Sequence, residues 1–223
     1  MRSALQRIYL AVGATALGIT LQAGGLAAQD QRLARLDAAT RAGVTVVIDS
    51  LRAGGLPTEP LIQKALEGAS KGASADRIVM AVRALGRDLG LVHALLGPSA
   101  TEAELVAGAA AVRGGVAGSD IAALARLQAG RGLLVPLSVL AELVARGVPV
   151  DSAAAAVTRV AQRGGGNADF NTLERGIEHD IEAGIPAGAA ASVRAGVQGP
   201  PIGVPGAVNR GLRGRPARPV GRP

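Results

Sequence analysis

The sequence predicts an all-α protein, and three observations carry that expectation. Strand signals, meaning alternating runs of β-branched and aromatic residues, are nearly absent. Apolar residues recur instead at helical spacing, and the chain is rich in the helix formers Ala and Leu. Glycine-centred turn signals divide it at short intervals. The expected arrangement is eight or nine short antiparallel helices, paired as degenerate hairpins in an α-solenoid-like array or an irregular bundle.

The helices are read in order. Val44, Val47, Ile48 and Leu51 make the first stripe; Leu61, Ala65 and Leu66 the second; Ile78, Val79, Val82 and Leu85 the third. Leu105, Val106, Ala109 and Val112 follow, then Ile121, Leu124 and Leu127. Leu137, Leu140, Leu143 and Val144, then Ala153, Val157 and Val160, and last Leu173, Ile177 and Ile181 complete the set. Each follows the i, i+3, i+4, i+7 template at least in part, in helices of roughly three to five turns. Between them stand Gly55-Leu56-Pro57-Thr58, Gly72-Ala73-Ser74, Gly97-Pro98-Ser99, Gly115-Val116-Ala117-Gly118-Ser119, Gly147-Val148-Pro149-Val150-Asp151 and Gly184-Ile185-Pro186. Gly closes a helix because it takes positive φ without strain, Pro begins the next, and Ser, Thr or Asp caps the freed N–H groups. Thr101 and Glu104 have capping-box spacing.

The turns also suggest a repeat. Gly72, Gly115, Gly147 and Gly184 fall where the middle of successive helix pairs is expected. Ile78 and Val82 stand six and ten residues after the first of these, as Ile121 and Ala125 do after the second and Ala153 and Val157 after the third. Gly164-Gly165-Gly166 reads as a flexible break in the body.

The two ends differ from this body. Met1–Arg7 carries Arg2 and Arg7 and no acid, Ile8–Leu21 is uncharged and mostly apolar, and small residues precede Gln29 and the first acid, Asp30. That is the tripartite pattern of a secretory signal over 1–29, with cleavage expected after Ala28 or Gln29. The apolar run is shorter than the ~20 residues of a spanning helix. Residues 199–223 hold six Pro, six Gly and five Arg (Arg210, Arg213, Arg215, Arg218 and Arg222) and no acid. Such a composition buries too little apolar surface to order itself, so a disordered basic tail is expected there.

Charge follows the same division. The two Arg of 1–29 and the five of 199–223 account for the whole formal charge of +7, leaving 30–198 neutral. A neutral body argues against a nucleic-acid-binding fold, and no aromatics interleave the tail Arg to stack on bases, so no nucleic acid partner is expected. With zero Cys the chain forms no disulfide and carries no lipid-anchor Cys. Beyond Tyr9, Phe170 is the sole aromatic, so the core must be Leu, Val, Ile and Ala.

Candidate chemistry is sparse. Without Cys and with only His93 and His179, no nucleophile–base spacing stands out, and the Gly clusters lack the Lys-Ser/Thr of a phosphate loop. His93 fits the last turn of a helix, where it complements the dipole. Glu174, Glu178 and Glu182 stand four apart, with His179 among them. This acidic helix face is the one candidate for a metal ion, and no cofactor is expected.

One segment is more specific. Gly55-Leu56-Pro57-Thr58-Glu59-Pro60-Leu61, Lys64-Ala65-Leu66-Glu67-Gly68, Lys71-Gly72, Arg77-Ile78 and Ala81-Val82-Arg83-Ala84-Leu85 resemble a GLPxEPLxxKALEG…KG…RI…AVRxL pattern of uncharacterised secreted bacterial helical-repeat proteins. The resemblance implies export and helical repeats, and brings no activity or site residue. Lys64, Glu67 and Lys71 in this segment are spaced to pair on an exposed helix face. The expectation is a periplasmic or secreted, non-enzymatic envelope protein. Its helical body would offer a surface to a protein partner or a second copy. Its tail Arg would contact an anionic envelope polymer or lipid headgroups. A metal protein using Glu174–Glu182 is the alternative.

Overall fold

The computed structural model describes residues 31–196, so the signal segment 1–29 and the tail 199–223 lie outside the described residues. Among the described residues the fold is all-α, with nine helices: α1 (Ala38–Ala53), α2 (Glu59–Ser70), α3 (Ala75–Leu96), α4 (Glu102–Arg113), α5 (Gly118–Leu127), α6 (Leu134–Ala145), α7 (Val150–Gln162), α8 (Asn167–Glu182) and α9 (Ala187–Ala195). None is long and apolar enough to cross a membrane.

The turns set the architecture. At Gly72, Gly115, Gly147 and Gly184 the chain takes positive φ and closes the preceding helix in the same way. The N–H two residues past the last helical turn reaches back five positions: Ala73 to Gly68, Val116 to Ala111, Val148 to Leu143 and Ile185 to Asp180, each at 2.9–3.0 Å. The residue after each Gly is apolar, and Val116 and Val148 are buried where they fold under the helix end. Four residues therefore separate the helices within each pair, α2–α3, α4–α5, α6–α7 and α8–α9. The position six residues after each of these glycines (Ile78, Ile121, Ala153 and Ala190) is buried in every pair, as the spacing requires. Gly164–Gly166 is not an interruption: Gly165 N–H bonds Val160 O at 3.0 Å, giving α7–α8 the same connection. Side-chain caps are rarer than expected. Thr101 and Glu104 form their box, and Asp37 caps α1 through Thr40, but Ser74 accepts no cap bond, and Ala117 and Pro149 stand at N-cap in place of Ser119 and Asp151.

Substantial contacts run only between helices one or two apart in sequence. Consecutive helices are antiparallel: Val92 meets Gly108 while Asp88 meets Arg113 across α3–α4. Alternate helices run parallel, since Gly43 meets Val79, and Gly86 meets Val47 and Leu51, across α1–α3. The result is two rows, α1-α3-α5-α7-α9 and α2-α4-α6-α8, in the nearest-neighbour pattern of an α-solenoid, with α2 standing off α4 across a depression. The core between the rows falls into two clusters that meet at α4. Leu105 and Ala109 face the N-terminal cluster, Ala107 and Ala111 the C-terminal one.

With few aromatics to fill space, the helices close up through glycine. A Cβ on Gly108 would stand 2.6 Å from Val92 Cγ1, on Gly43 2.7 Å from Val79 Cγ2, and on Gly68 2.8 Å from Ile78 Cγ1. Each is a backbone-to-branched-side-chain contact that only Gly permits, and it recovers dispersion that small aliphatic side chains otherwise forgo. Phe170, fully buried, is the largest side chain of the C-terminal cluster. Three expectations change. α3 runs 22 residues, beyond five turns, and buries Leu89 and Val92 past the expected stripe. Val106 is 39% and Leu127 40% exposed although both continue an apolar period.

Candidate functional site

The row α2-α4-α6-α8 carries the features closest to a site. On α6 an i+4 row of exposed residues, Leu134, Ser138 and Glu142, continues into Arg146 just past the helix end. On α4 the matching row is Glu102, Val106 and Ala110. The two rows run side by side and enclose a shallow, mainly apolar groove of about 510 Å³ lined by Glu102, Ala103, Val106, Ala107, Leu134 and Ser138. A second depression of about 310 Å³ lies between α2 and α4, with Val106 shared and Lys64, Glu67 and Arg113 at its rim. The N-terminal ends of α4 and α6 are tied across the groove. Glu104 accepts from Thr101 N–H (2.9 Å) through one carboxylate oxygen and from Leu133 N–H (2.7 Å) through the other.

The acidic face of α8 lies against the C-terminal end of α6, and Arg146 enters it. Arg146 bonds Glu178 at 2.8 Å and Glu142 at 3.3 Å. Glu174 is half-buried beside them, and burial, then the Glu178 and Glu142 carboxylates, push its carboxyl above the ordinary value against the pull of Arg146. His179 and Glu182 are exposed. Among the described residues no three His, Cys, Asp or Glu side chains come together in a way that could hold a metal ion, so the candidates Glu174, Glu178, His179 and Glu182 are not brought into a ligand set. A cation already occupies the carboxylate that the spacing made central. The tail candidates Arg210, Arg213, Arg215, Arg218 and Arg222 lie outside the described residues.

The remaining charges are structural. Lys64 (3.0 Å) and Lys71 both bond Glu67, as the spacing predicts, and hold its carboxyl down to about 2. Arg32 grips Glu59 through two bonds of 2.8 and 2.6 Å. Arg194 grips the buried Asp180 through two bonds of 2.7 Å, locking α9 to α8 and holding the Asp180 carboxyl below its ordinary value. The Arg194 guanidinium lies close over Gly176, where an added Cβ would stand 3.1 Å from it. Arg131 closes the α5–α6 connection onto Gly164 O at 2.7 Å. Sequence reasoning named neither Glu142 and Arg146 nor the groove. The i+4 row from Leu134 to Glu142 was the available signal, but it marks an exposed face only once the core side of α6 is known.

No protein-family model, no curated protein and no solved structure matches the chain.

Proposed function

We propose that this protein is an exported, non-enzymatic interaction module of the cell envelope, periplasmic or secreted. In this reading residues 1–29 are removed on export, the α2-α4-α6-α8 face receives a protein partner or a second copy, and the Arg of 199–223 contact an anionic polymer or lipid headgroups. The observation that carries it is the groove between α4 and α6, where Val106 and Leu134 stay about two-fifths exposed, with Glu102 at the near end of the two helix rows and Glu142 at the far end. An apolar strip rimmed by charge is the surface pattern of a docking site. The tripartite N-terminal pattern and the resemblance of 55–89 to secreted helical-repeat proteins support export, and the acid-free, Arg-bearing tail supports an anionic contact.

The test is a salt titration of binding to the envelope fraction of the producing cell. It compares the mature chain with a form carrying Gln at all five tail Arg and with Val106→Glu. Loss of binding on tail neutralisation, with a steep salt dependence in the parent, is the expected result for the anionic contact. Loss with Val106→Glu at high salt is expected for the groove. Binding that ignores salt and both variants overturns the reading.

A further inference from the structure

We propose that the chain's own C-terminal tail occupies the α4–α6 groove, with Leu212 seated between Val106 and Leu134 and its flanking Arg residues on the carboxylates of the same face. The inference rests on that face being the interaction surface and not on export.

Four observations lead there. The groove is apolar at its floor and Glu102 lines one end; beyond the other end, one turn past Ser138 on α6, stands Glu142 with Glu174 near it. Among the described residues neither Glu102 nor Glu174 forms an ion pair, while Glu142 shares Arg146 with Glu178. The tail carries the complementary chemistry: Arg210-Gly211-Leu212-Arg213-Gly214-Arg215 sets one large aliphatic residue among three cations, and no acid follows Gln198.

Spacing and reach agree as well. Extended chain advances about 3.3 Å per residue, so Arg215 falls about 10 Å beyond Leu212. Leu134 and Glu142, two helical turns apart, are separated by about 12 Å. Arg210 on the other side falls about 7 Å from Leu212, within reach of Glu102. The described chain ends at Gly196 after α9, which packs on α8, and the path α9-α8-α6-α4 crosses three helix spacings of about 10 Å. About ten extended residues span that, and sixteen separate Gly196 from Leu212.

The consequence is competition. A partner that enters the groove must displace the tail from Glu102, Glu142 and Glu174. Occupation in cis is favoured because the tether holds the tail at high effective concentration.

The chain has no Cys, so paired substitutions report the contact without background. Val106→Cys with Leu212→Cys, in the mature chain, is compared under mild oxidant with Leu127→Cys and Leu212→Cys. Leu127 is 40% exposed in the opposite row and nearer to α9, so an undirected tether favours it. The 106–212 disulfide is expected to form within the monomer about tenfold faster, since docking raises the local concentration of Leu212 at the groove. High salt and the pair Glu142→Lys, Glu174→Lys should remove that advantage while leaving the 127–212 rate unchanged. Leu134→Cys serves as a second groove reporter should Val106→Cys disturb the fold. Equal rates at the two sites, or disulfides only between molecules with a yield that rises with concentration, overturn the proposal. The purified chain is used alone, so this outcome is separate from envelope binding.

Discussion

Two glycines in adjacent helices should respond to the same substitution with opposite sign. Gly108 in α4 and Gly90 in α3 are both helical, and in both Ala recovers about 1 kcal/mol of helix propensity. At Gly90 the nearest atom to an added Cβ is Leu56 Cδ1 at 4.0 Å, an ordinary contact, so Gly90→Ala should stabilise by close to that amount. At Gly108 the added Cβ meets Val92 Cγ1 at 2.6 Å and Cγ2 at 3.2 Å. Val92 is fully buried and β-branched, so it has no alternative rotamer to retreat into, and the helices must part. Overpacking of this kind costs about 1–3 kcal/mol, which outweighs the propensity gain and leaves Gly108→Ala destabilised by up to about 2 kcal/mol. For a domain of this size that is a fall in Tm of up to about 8 °C, against a rise of about 2–4 °C for Gly90→Ala. A double-mutant cycle isolates the cause. In a Val92→Ala background the obstructing methyls are gone, and Gly108→Ala should become stabilising by about 1 kcal/mol. Urea unfolding followed by far-ultraviolet circular dichroism reads each form, since residues 30–223 hold no Trp or Tyr for fluorescence. A Gly108→Ala protein as stable as Gly90→Ala, with no change of sign in the Val92→Ala background, would refute the close-approach argument.

Further predictions concern the charged joints. Glu104→Ala leaves the Thr101 hydroxyl capping α4 but removes the acceptor for Thr101 N–H and for Leu133 N–H, and should cost about 1–2 kcal/mol in urea unfolding, where Glu102→Ala costs a few tenths. Asp180→Asn should lower Tm at neutral pH and abolish part of the acid sensitivity. The Asp180 carboxyl is depressed by Arg194, so its contribution is present above the unfolded-state value and is lost as pH falls through the lower folded-state one. Glu174 has the opposite sign. Its raised carboxyl means the ionised form costs stability, so in a chain ending at Gly196, with no tail Arg to pair it, Glu174→Gln should raise Tm at neutral pH and converge on its parent below the ordinary glutamate range. Lys71→Gln should move the Glu67 carboxyl up from about 2, read by carboxyl NMR titration, and an unmoved value would show that Lys64 alone holds it.

What could be read in the sequence was local. The turn glycines, the Thr101–Glu104 box and the Lys64-Glu67-Lys71 set depend on residues within five positions of each other, and all three are present. What escaped depends on a neighbour far along the chain. Why Gly86 stands inside α3 is one such case: Leu51 of α1 packs against it, and the helix runs through. Val106 continues an apolar period, but α4 buries Leu105 and Ala109 on one side and Ala107 and Ala111 on the other. A helix covered on two sides has no single stripe, so periodicity could not say that Val106 faces out. The acidic spacing on α8 was visible, and the Arg146 that enters it from α6 was not.

The recurrence of one four-residue connection, with contacts that reach no further than the second helix along, gives the chain a property of linear polymers. Its stability adds up along a line, from the intrinsic worth of each hairpin and the interface to the next. A hairpin inserted or removed at one of these joints therefore disturbs two interfaces and leaves the rest as they were, whereas a globular core would have to repack throughout. Length in such a chain is a tunable quantity: duplication of a hairpin would extend the groove-bearing row by one helix without redesigning the others.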